Sequence, residues 1–414
     1  MTAASPCLCR ARHCLAGAAL LGLVSLGAAA DDVALESSPL RAPEPIERLQ
    51  ADTAGGLLAV SAKGVLWRLD PGTVAWARLS DGIDPDTPLA SGHGRIAARG
   101  ALGGLWVWEG GRATLSRGVR LAPHAGLLIL PLGIIGVVQT AGSAYAVRLE
   151  PDSAGGWTET ARSVGPVLPD ARPLQADLES AHDAGDGHIV VLAGPDDRRY
   201  KHGVLGDAIE STRVLYLERH GLKVLRSLDI PAPHVIEDIA PRPVAWRGRT
   251  GLLTMRSGPQ GAQLAVIAAS PDASDRLEFV ALGPPIGTPN RWLARTTDGK
   301  RLLAVHTPHI GGVLHEYRAE GATLSARAIA EGVSNHRIGS RELDLAVWLG
   351  ARLMLPAGDR TSLRCFDADA GWSACGSVPL GKPAIASTAL SLRERAGVAV
   401  LTSDGRLPFV IPRR

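Results

Sequence analysis

The sequence predicts an all-β fold assembled from repeated four-stranded units, and three observations lead to this class. Short runs that alternate apolar and polar residues recur along the 414-residue chain, which is the period of a half-buried strand. Each alternating run follows a more continuous apolar run, such as GHIVVLAG from Gly187, which suits a strand covered on both faces. Beyond residue 30 no stretch has a convincing helical period, and 48 glycines and 29 prolines supply the turns.

Eight alternating runs can be identified, mostly 39 to 50 residues apart, with one longer gap of about 70 residues. Four-stranded units at this period are typical of a β-propeller, in which neighbouring blades cover each other's faces. The sequence therefore predicts a single β-propeller over residues 31–414 with eight blades. Because the second unit is the weakest, seven blades are the alternative. The runs are GVLWRLDPG from Gly64, GGLWVWEGG from Gly103, SAYAVRLEPD from Ser143, TRVLYLERHG from Thr212, GAQLAVIAAS from Gly261, GGVLHEYRAEG from Gly311, TSLRCFDADAG from Thr361 and GRLPFVIPRR from Gly405.

The last unit has only three strands before Arg414, and the segment Val33–Arg41 has the pattern of the missing fourth strand. This segment reads like Val224–Asp238 in the middle of the chain, and it leads into a first strand expected at Ile46–Ala54. We therefore expect residues 33–41 to pair beside the strand near Leu407. Such pairing closes the ring and removes its open edges.

Residues 1–30 have the pattern of a secretion signal. Arg10 and Arg12 precede an apolar run over Leu15–Leu26, and small residues follow at Ala28–Ala30. We expect cleavage after residue 30, with an uncleaved membrane anchor as the alternative. The protein is therefore expected to be periplasmic or secreted, and not an integral membrane protein.

Cysteine and charge content narrow the expected environment and partners. Cys365 and Cys375 are the two cysteines beyond the signal, and in an exported chain a disulfide is favoured over two buried thiols. Lys and Arg number 44 against 41 Asp and Glu, without a basic block or an acidic tail. This balance argues against a nucleic-acid partner and against a polybasic membrane patch.

Five segments in the second half of the chain carry a family resemblance. The segments are YKHGVLGDAIE (Tyr200–Glu210), IEDIAPRPV (Ile236–Val244), PIGTPNRWLA (Pro285–Ala294), TPHIGGVL (Thr307–Leu314) and GVSNHRIG (Gly332–Gly339). In this order, they resemble segments of exported bacterial FG-GAP/VCBS-repeat proteins, over about Gly187 to Gly376. The resemblance implies an integrin-like β-propeller, in agreement with the repeats.

The chain departs from this family where calcium loops of the form D-x-D-x-D-G are expected. It has AWRGRTG from Ala245 and RTTDGKR from Arg295 at these places. Calcium takes six to eight oxygen ligands, and the single aspartate of the second loop cannot supply them. The stretch DADAG (Asp367–Gly371) is expected to be a hairpin turn. We therefore expect no metal ion and no other cofactor.

A long insertion supplies the first group of candidate site residues. The sixteen residues PDDRRYKHGVLGDAIE separate two predicted strands and include His202, Asp207 and Glu210. Long loops on a rigid scaffold commonly hold ligand groups. The insertion is therefore a candidate ligand clamp, and the alternative is a solvated loop fixed by its own ion pairs.

The second group of candidates enters the first strand of successive units, the position nearest the channel. These candidates combine guanidinium, carboxylate and amide groups. This mixture suits a polar ligand such as a carboxylate, a sugar or a peptide end. The alternative is that these groups brace neighbouring blades by ion pairs. The candidates are Glu237, Asp238, Arg242, Arg291, Trp292, Asn335, His336 and Arg337.

Histidines near the end of one predicted strand raise the question of a metal site. His306 and His309 could bring two imidazoles together, but zinc would need a third protein ligand, and His315 is expected in another layer. Hydrogen-bonded loop histidines are therefore favoured, and His309 is a candidate ligand-binding residue rather than a metal ligand.

These observations favour an exported binding or interaction protein with no covalent chemistry. We assign no catalytic residue, since G-x-S-x-G, H-E-x-x-H and glycine-rich phosphate motifs are missing from the sequence. The expected partner is a polar small molecule, a glycan or an envelope protein, bound at the channel mouth by a monomer. The alternative is a hydrolase- or lyase-type enzyme acting on a glycan or lactone, with His202 and either Asp207 or Glu210 as acid and base. A purely structural role in the envelope is a third option.

Overall fold

The computed structural model describes residues 35–178 and 187–413, and the protein is all-β over both ranges. The expected secretion signal and the first two residues of the expected closing strand lie outside the described residues. Within them, the helical structure is limited to one 3-10 turn at Gly203–Leu205. In the described part of the chain, no helix has the length and apolar character needed to cross a bilayer.

The strands of the first half follow one another as antiparallel neighbours, so that each set of four begins and ends at a loop. Strands β2–β5, β6–β9 and β10–β13 each form a separate four-stranded sheet. The bounds are β1 Leu35–Leu40, β2 Ile46–Ala51, β3 Leu57–Ser61, β4 Leu66–Leu69, β5 Trp76–Ser80, β6 Ala90–Gly92, β7 Arg95–Arg99, β8 Leu105–Glu109, β9 Arg112–Ser116, β10 Leu128–Leu130, β11 Gly133–Thr140, β12 Ser143–Pro151, β13 Trp157–Arg162, β14 Leu174–Ala176, β15 His188–Asp196, β16 Glu210–Leu217 and β17 Val224–Asp229.

The second half repeats this order with one additional short strand, β18. Strands β27–β30 form their own sheet, and β31, β32 and β33 are joined by β1. The bounds are β18 Val235–Ile236, β19 Arg242–Trp246, β20 Arg249–Ser257, β21 Gln263–Ala269, β22 Leu277–Leu282, β23 Leu293–Thr296, β24 Leu302–His306, β25 Val313–Glu320, β26 Thr323–Glu331, β27 Val347–Leu349, β28 Arg352–Pro356, β29 Ser362–Asp367, β30 Ser373–Pro379, β31 Ala384–Leu392, β32 Arg395–Thr402 and β33 Leu407–Pro412.

The strands β14 to β26 are connected into one thirteen-stranded sheet. The connection has two causes: β18 pairs with both β16 and β20, and β22 pairs with β26 in parallel at a single position. Within this sheet the strands still run as consecutive antiparallel sets of four, β14–β17, β19–β22 and β23–β26. The all-β class and the blade-like sheets are therefore confirmed, whereas the number of blades, eight or seven, stays a prediction.

The predicted closure between the two ends of the chain is confirmed. Strand β1 pairs antiparallel with β33 along its whole length, from Leu35 opposite Pro412 to Leu40 opposite Leu407. Leu40 is buried in a cluster with Leu49 of β2 and Leu401 of β32, so side chains from both ends share one core. The backbone pairing and the shared core together fix the last set against the first.

The core lies between neighbouring sheets and is built mostly from aliphatic side chains. The largest cluster joins β11, β12, β15 and β16 and includes Ile135, Val191 and Leu215. Aromatic residues make up only 4% of the chain, so Leu, Val, Ile and Ala must fill most of the space. In the outer strands apolar and polar residues alternate, and the apolar residues mark the face that is buried.

The cysteine pair forms the expected disulfide. Cys365 lies on β29 and Cys375 on the adjacent β30, with a Cα–Cα distance of 4.9 Å. Both side chains are buried against Val378 and Val400. The bridge therefore joins the third and fourth strands of one sheet inside the core.

The closing strand should contribute measurably to stability. Leu40→Ala removes a buried side chain at the seam, and we expect it to lower the free energy of unfolding by about 2–5 kcal/mol. The matched control is Ser38→Ala on the same strand, where the side chain is exposed and the loss should be small. Urea unfolding followed by tryptophan fluorescence measures both. Equal losses in the two variants would contradict the role assigned to the seam.

Candidate functional site

The insertion between β15 and β16 packs against its neighbours instead of extending into solvent. Val204 and Leu205 are 1% and 4% exposed, and the hydroxyl of Tyr200 accepts a hydrogen bond of 2.8 Å from the backbone N–H of Asn290. Gly206 has φ +105°, and a Cβ there would lie 2.6 Å from the guanidinium of Arg341. Apolar anchors and this close approach hold the loop, in addition to ion pairs.

His202 contacts a different carboxylate from the two that the sequence suggests. Its Nδ1 nitrogen lies 2.6 Å from Oε1 of Glu237, in hydrogen-bond contact, and the hydroxyl of Ser257 donates to the other oxygen of Glu237 at 2.5 Å. The expected pairing with Asp207 or Glu210 is not present. The reason is β18, which pairs between β16 and β20 and places Glu237 directly under the insertion.

Asp207 instead belongs to an ion-pair cluster around Arg341. The Arg341 guanidinium lies 2.5 Å from Asp207 and 2.7 Å from Asp170. Arg172 donates to the backbone carbonyl of Arg341 at 2.5 Å. The insertion is thereby bound to the loops that precede β14 and β27, and this contact favours the bracing interpretation for Asp207.

Glu210 is a buried acid whose side chain has no hydrogen-bond partner in the described residues. Its exposed fraction is 2%. Burial, reinforced by the nearby carboxylates of Glu237 and Asp207, raises its pKa to about 10. At neutral pH it is therefore a neutral carboxylic acid.

Asp238 and Arg295 form a buried, two-bond ion pair between neighbouring sets. Both bonds measure 3.0 Å, and Thr254 donates to the same carboxylate at 3.0 Å. Arg242 pairs with Asp344 in the same region. Burial opposes the ionisation of Asp344, but Arg242 and Arg295 outweigh it and lower the pKa of Asp344 to about 2. Asp238 and Arg242 therefore brace neighbouring sets.

Trp292, His309 and His336 form a continuous group above β23. The Trp292 and His309 rings are nearly parallel at 6.1 Å, and the His336 ring lies 4.6 Å from Trp292. His309 Nε2 lies 2.9 Å from His336 Nδ1, and His336 Nε2 donates to the carbonyl of Ser340 at 2.8 Å. Asn335 donates to the carbonyl of Ala294 at 3.0 Å. These residues anchor the segment that carries Arg337.

Burial keeps the histidines of this region neutral. It lowers the pKa of His309 to about 4 and that of His336 to about 3, with nearby arginines acting in the same direction. Because His336 donates through Nε2, its Nδ1 must accept, and His309 donates to it.

His306 lies apart from His309 and stacks on His315 at 3.7 Å. The strand register explains this, since Ala304 is opposite His315, so His306 and His315 are diagonal neighbours on one face. The expectation that His315 lies in another layer is wrong.

The predicted hairpin turn at Asp367–Gly371 is confirmed, since the Asp367 side chain accepts from the backbone N–H groups of Asp369 and Ala370.

Two arginines of the candidate set are exposed, and their side chains have no ion pair or hydrogen bond within the described ranges. They are Arg291, in the loop before β23, and Arg337, in the loop before β27. Arg337 lines a cavity of about 350 Å³ together with Arg48, Arg341 and Glu342. Residues from five sets of strands line this cavity, which therefore lies where the inner loops of those sets converge.

Sequence reasoning missed several charged residues of this region. Asp170, Arg341 and Asp344 precede first strands, as Arg291 and Arg337 do, so the same positional signal could have identified them. Arg360 follows the second strand of its set instead, in the short turn between β28 and β29. Only the folded arrangement brings it beside the other residues.

The Asp238–Arg295 pair should be essential to the fold. Asp238→Asn removes the carboxylate that is hydrogen-bonded to the buried Arg295 guanidinium, and we expect a loss of about 3–5 kcal/mol in the free energy of unfolding. The matched control is Asp81→Asn, which breaks a surface pair with Arg78 and should cost about 0–1 kcal/mol. Urea titration measures both losses, and a small loss for Asp238→Asn would refute the bracing role.

Glu210 should make stability depend on pH. Above about pH 4.5 the unfolded chain gains free energy by ionising Glu210 while the folded protein keeps it protonated, so stability falls as pH rises toward the folded pKa. Glu210→Gln removes this cost, and its stability relative to wild type should rise by up to about 1.4 kcal/mol per pH unit between pH 5 and 8. The exposed Glu320→Gln is the control. A difference independent of pH would overturn the assignment.

Comparison with known proteins supports the fold. No protein-family model matches the chain, and no curated protein matches it in sequence. Among solved structures, Sqt1 from Saccharomyces cerevisiae is similar, with TM-score 0.57, 10% identity and coverage of 92% of this chain and 99% of that one. BamB from Moraxella catarrhalis is similar with TM-score 0.52 and 13% identity, and the alignment covers 91% of this chain and 97% of that one. The WD40 domain of SCAP from fission yeast is similar with TM-score 0.52 and 11% identity, and the alignment covers 92% of this chain and 98% of that one. At such identities the likeness concerns the fold alone, and that fold is a β-propeller.

Proposed function

We propose that the protein is an exported β-propeller that binds a polar ligand or the end of a protein partner and performs no covalent chemistry. The observation that carries this proposal is the 350 Å³ cavity, whose polar lining includes Arg48, Arg337 and Arg341 beside Glu47, Asp86 and Glu342. Its volume is within the range of small-molecule sites, and propellers commonly bind ligands where inner loops converge.

The construction of the cavity supports a binding role. Arg337 begins a turn closed by the Ser340 N–H bond to its carbonyl at 3.0 Å, and Gly339 donates to the carbonyl of Val204 in the insertion at 2.8 Å. His336, immediately before this turn, is completely buried. A buried polar network therefore holds an exposed loop tip in one position, as ligand recognition requires.

We also propose that the chain is a degenerate FG-GAP/VCBS-type propeller. At one of the expected calcium loops, Asp298 is already used by its own turn. One of its oxygens accepts from the backbone N–H groups of Lys300 and Arg301, and the other accepts from the Arg301 side chain at 2.6 Å. A carboxylate engaged in this way supports a structural turn rather than a cation site.

The second candidate function is a hydrolase or lyase acting on a glycan or lactone. The contact between His202 and the buried Glu237 favours it, since a carboxylate that orients an imidazole is the arrangement of a general base. The binding function has stronger support, because charged side chains of both signs line the cavity and His202 is not among its lining residues.

Site-specific photo-crosslinking in the native cell envelope tests the binding proposal. A crosslinking amino acid replaces Ile338 beside the cavity or, as the matched control, Leu132 in the turn between β10 and β11; their exposed fractions are 64% and 72%. We expect adducts, detected by intact mass, from position 338 and not from position 132. Equal adducts, or none at position 338, would refute a ligand site at the cavity. Recovery of the protein in the cytoplasmic fraction would refute export.

A further inference from the structure

Three arginines line the cavity, and a fourth, Arg360, lies beside one of them, Arg337. These arginines differ in whether their side chains have partners within the protein. Arg48 donates to the carbonyls of Pro85 and Asp86, and Arg341 is held by two carboxylates. By contrast, neither Arg337 nor Arg360 has an ion pair or a side-chain hydrogen bond within the described ranges. One polar atom of Arg360, its Nε, is buried without a partner. Buried donors are normally paired, so this N–H group lacks an acceptor.

The backbone holds the loops of Arg337 and Arg360 side by side. Ser334 donates to the carbonyl of Pro356 at 2.9 Å, and Gly358 donates to the carbonyl of Gly332 at 2.9 Å. Burial lowers the pKa of Arg360, and the neighbouring charge of Arg337 lowers it further. Two like charges held together raise the free energy of the empty site, and an anion between them would relieve this repulsion.

The anchoring residues beneath this pair do not neutralise it. His309 and His336 lie close to Arg360 but are uncharged at neutral pH, so they add neither positive nor negative charge. Asp359 is the adjacent acid, and hydrogen bonds from the N–H and hydroxyl groups of Thr361, at 2.9 and 2.7 Å, lower the pKa of its carboxyl group. Asp359 therefore stays charged and offsets part of the Arg360 charge. One carboxylate against two guanidinium groups leaves this part of the surface with a net positive charge.

Apolar side chains flank the same region. Ile338 follows Arg337 and is 64% exposed, and Ile310 follows His309 and is 62% exposed. A ligand with an anionic end and an adjacent apolar part would satisfy both kinds of group. A carboxylate next to an aliphatic side chain has this composition, and guanidinium groups bind carboxylates through paired hydrogen bonds.

We propose that Arg337 and Arg360 form a binding site for a carboxylate that carries a neighbouring aliphatic group. This inference rests on the proposed binding function and specifies its ligand chemistry. The carboxylate can belong to a small organic acid or to the C-terminus of a peptide, and both present the same group to the arginines.

Isothermal titration of the intact protein with matched probes tests the proposal. The acid probes are N-acetyl-leucine and a five-residue peptide with a free C-terminal leucine, and the controls are N-acetyl-leucinamide and the same peptide amidated. We expect the acids to bind and the amides to bind at least about tenfold more weakly, because the amide removes the charge. Binding of both acids with equal affinity identifies a small-acid site, and preference for the peptide identifies a C-terminus reader.

Single substitutions test whether Arg337 and Arg360, rather than other arginines, bind the acid probes. Arg337→Gln and Arg360→Gln should each weaken acid binding by about tenfold, and raised salt should weaken it further. Arg112→Gln, which removes an exposed arginine at the start of β9 that has no side-chain partner in the described residues, should leave the affinity unchanged. Thermal unfolding of each variant checks that the fold is retained.

The results that would contradict the carboxylate site differ from those that would refute the proposed binding function. Amide probes that bind as well as acids, or acid binding that survives in Arg337→Gln and Arg360→Gln, would overturn the carboxylate assignment. Should crosslinking at position 338 still give adducts, the protein binds a ligand there of different chemistry. Should both experiments fail, the binding function itself is refuted.

Discussion

The backbone pairing of β1 with β33 is the constraint on which the rest of the structure depends. Without β1, the last set would have three strands and an exposed edge, and Leu40 would leave the core that it shares with Leu49 and Leu401. The inner loops that form the cavity extend from sheets fixed by this seam, since Arg48 lies on β2 and Ser403 follows β32. The geometry of the candidate site therefore depends on the closure of the chain by β1.

Most of the buried charged groups described near the cavity are paired with a residue of another set of strands or are neutralised by protonation. Asp238 and Arg295 satisfy each other with two hydrogen bonds, because an unpaired ion in the interior would cost several kcal/mol. Glu210, without a partner, remains protonated instead. Arg360 departs from this pattern, because its Nε is buried and has no partner in the described residues. The side chain of the neighbouring, exposed Arg337 has no partner there either, and this favours recognition over bracing.

The fold could be predicted from the sequence because its determinants are local. Alternation of side chains marks each outer strand, and the pattern of Val33–Arg41 identifies the closing strand without any knowledge of contacts. The site could be predicted only in part. The partner of His202 depends on where β18 inserts, and this short strand has no distinctive pattern. Arg360 was missed because adjacency to Arg337 arises from pairing between loops, which spacing along the chain does not encode.

Protonation explains why formal charge is a poor guide to this surface. The chain has a formal net charge of +3, which suggests little preference for anions. Beneath the cavity, however, Glu210 is uncharged, and Asp238 and Asp344 are neutralised by arginine partners. These negative charges are partnered or removed inside the protein, whereas Glu47, Asp86 and Glu342 line the cavity together with Arg48, Arg337 and Arg341. The exposed Arg337 side chain has no partner in the described residues, so position and environment, rather than net charge, decide which charges a ligand meets.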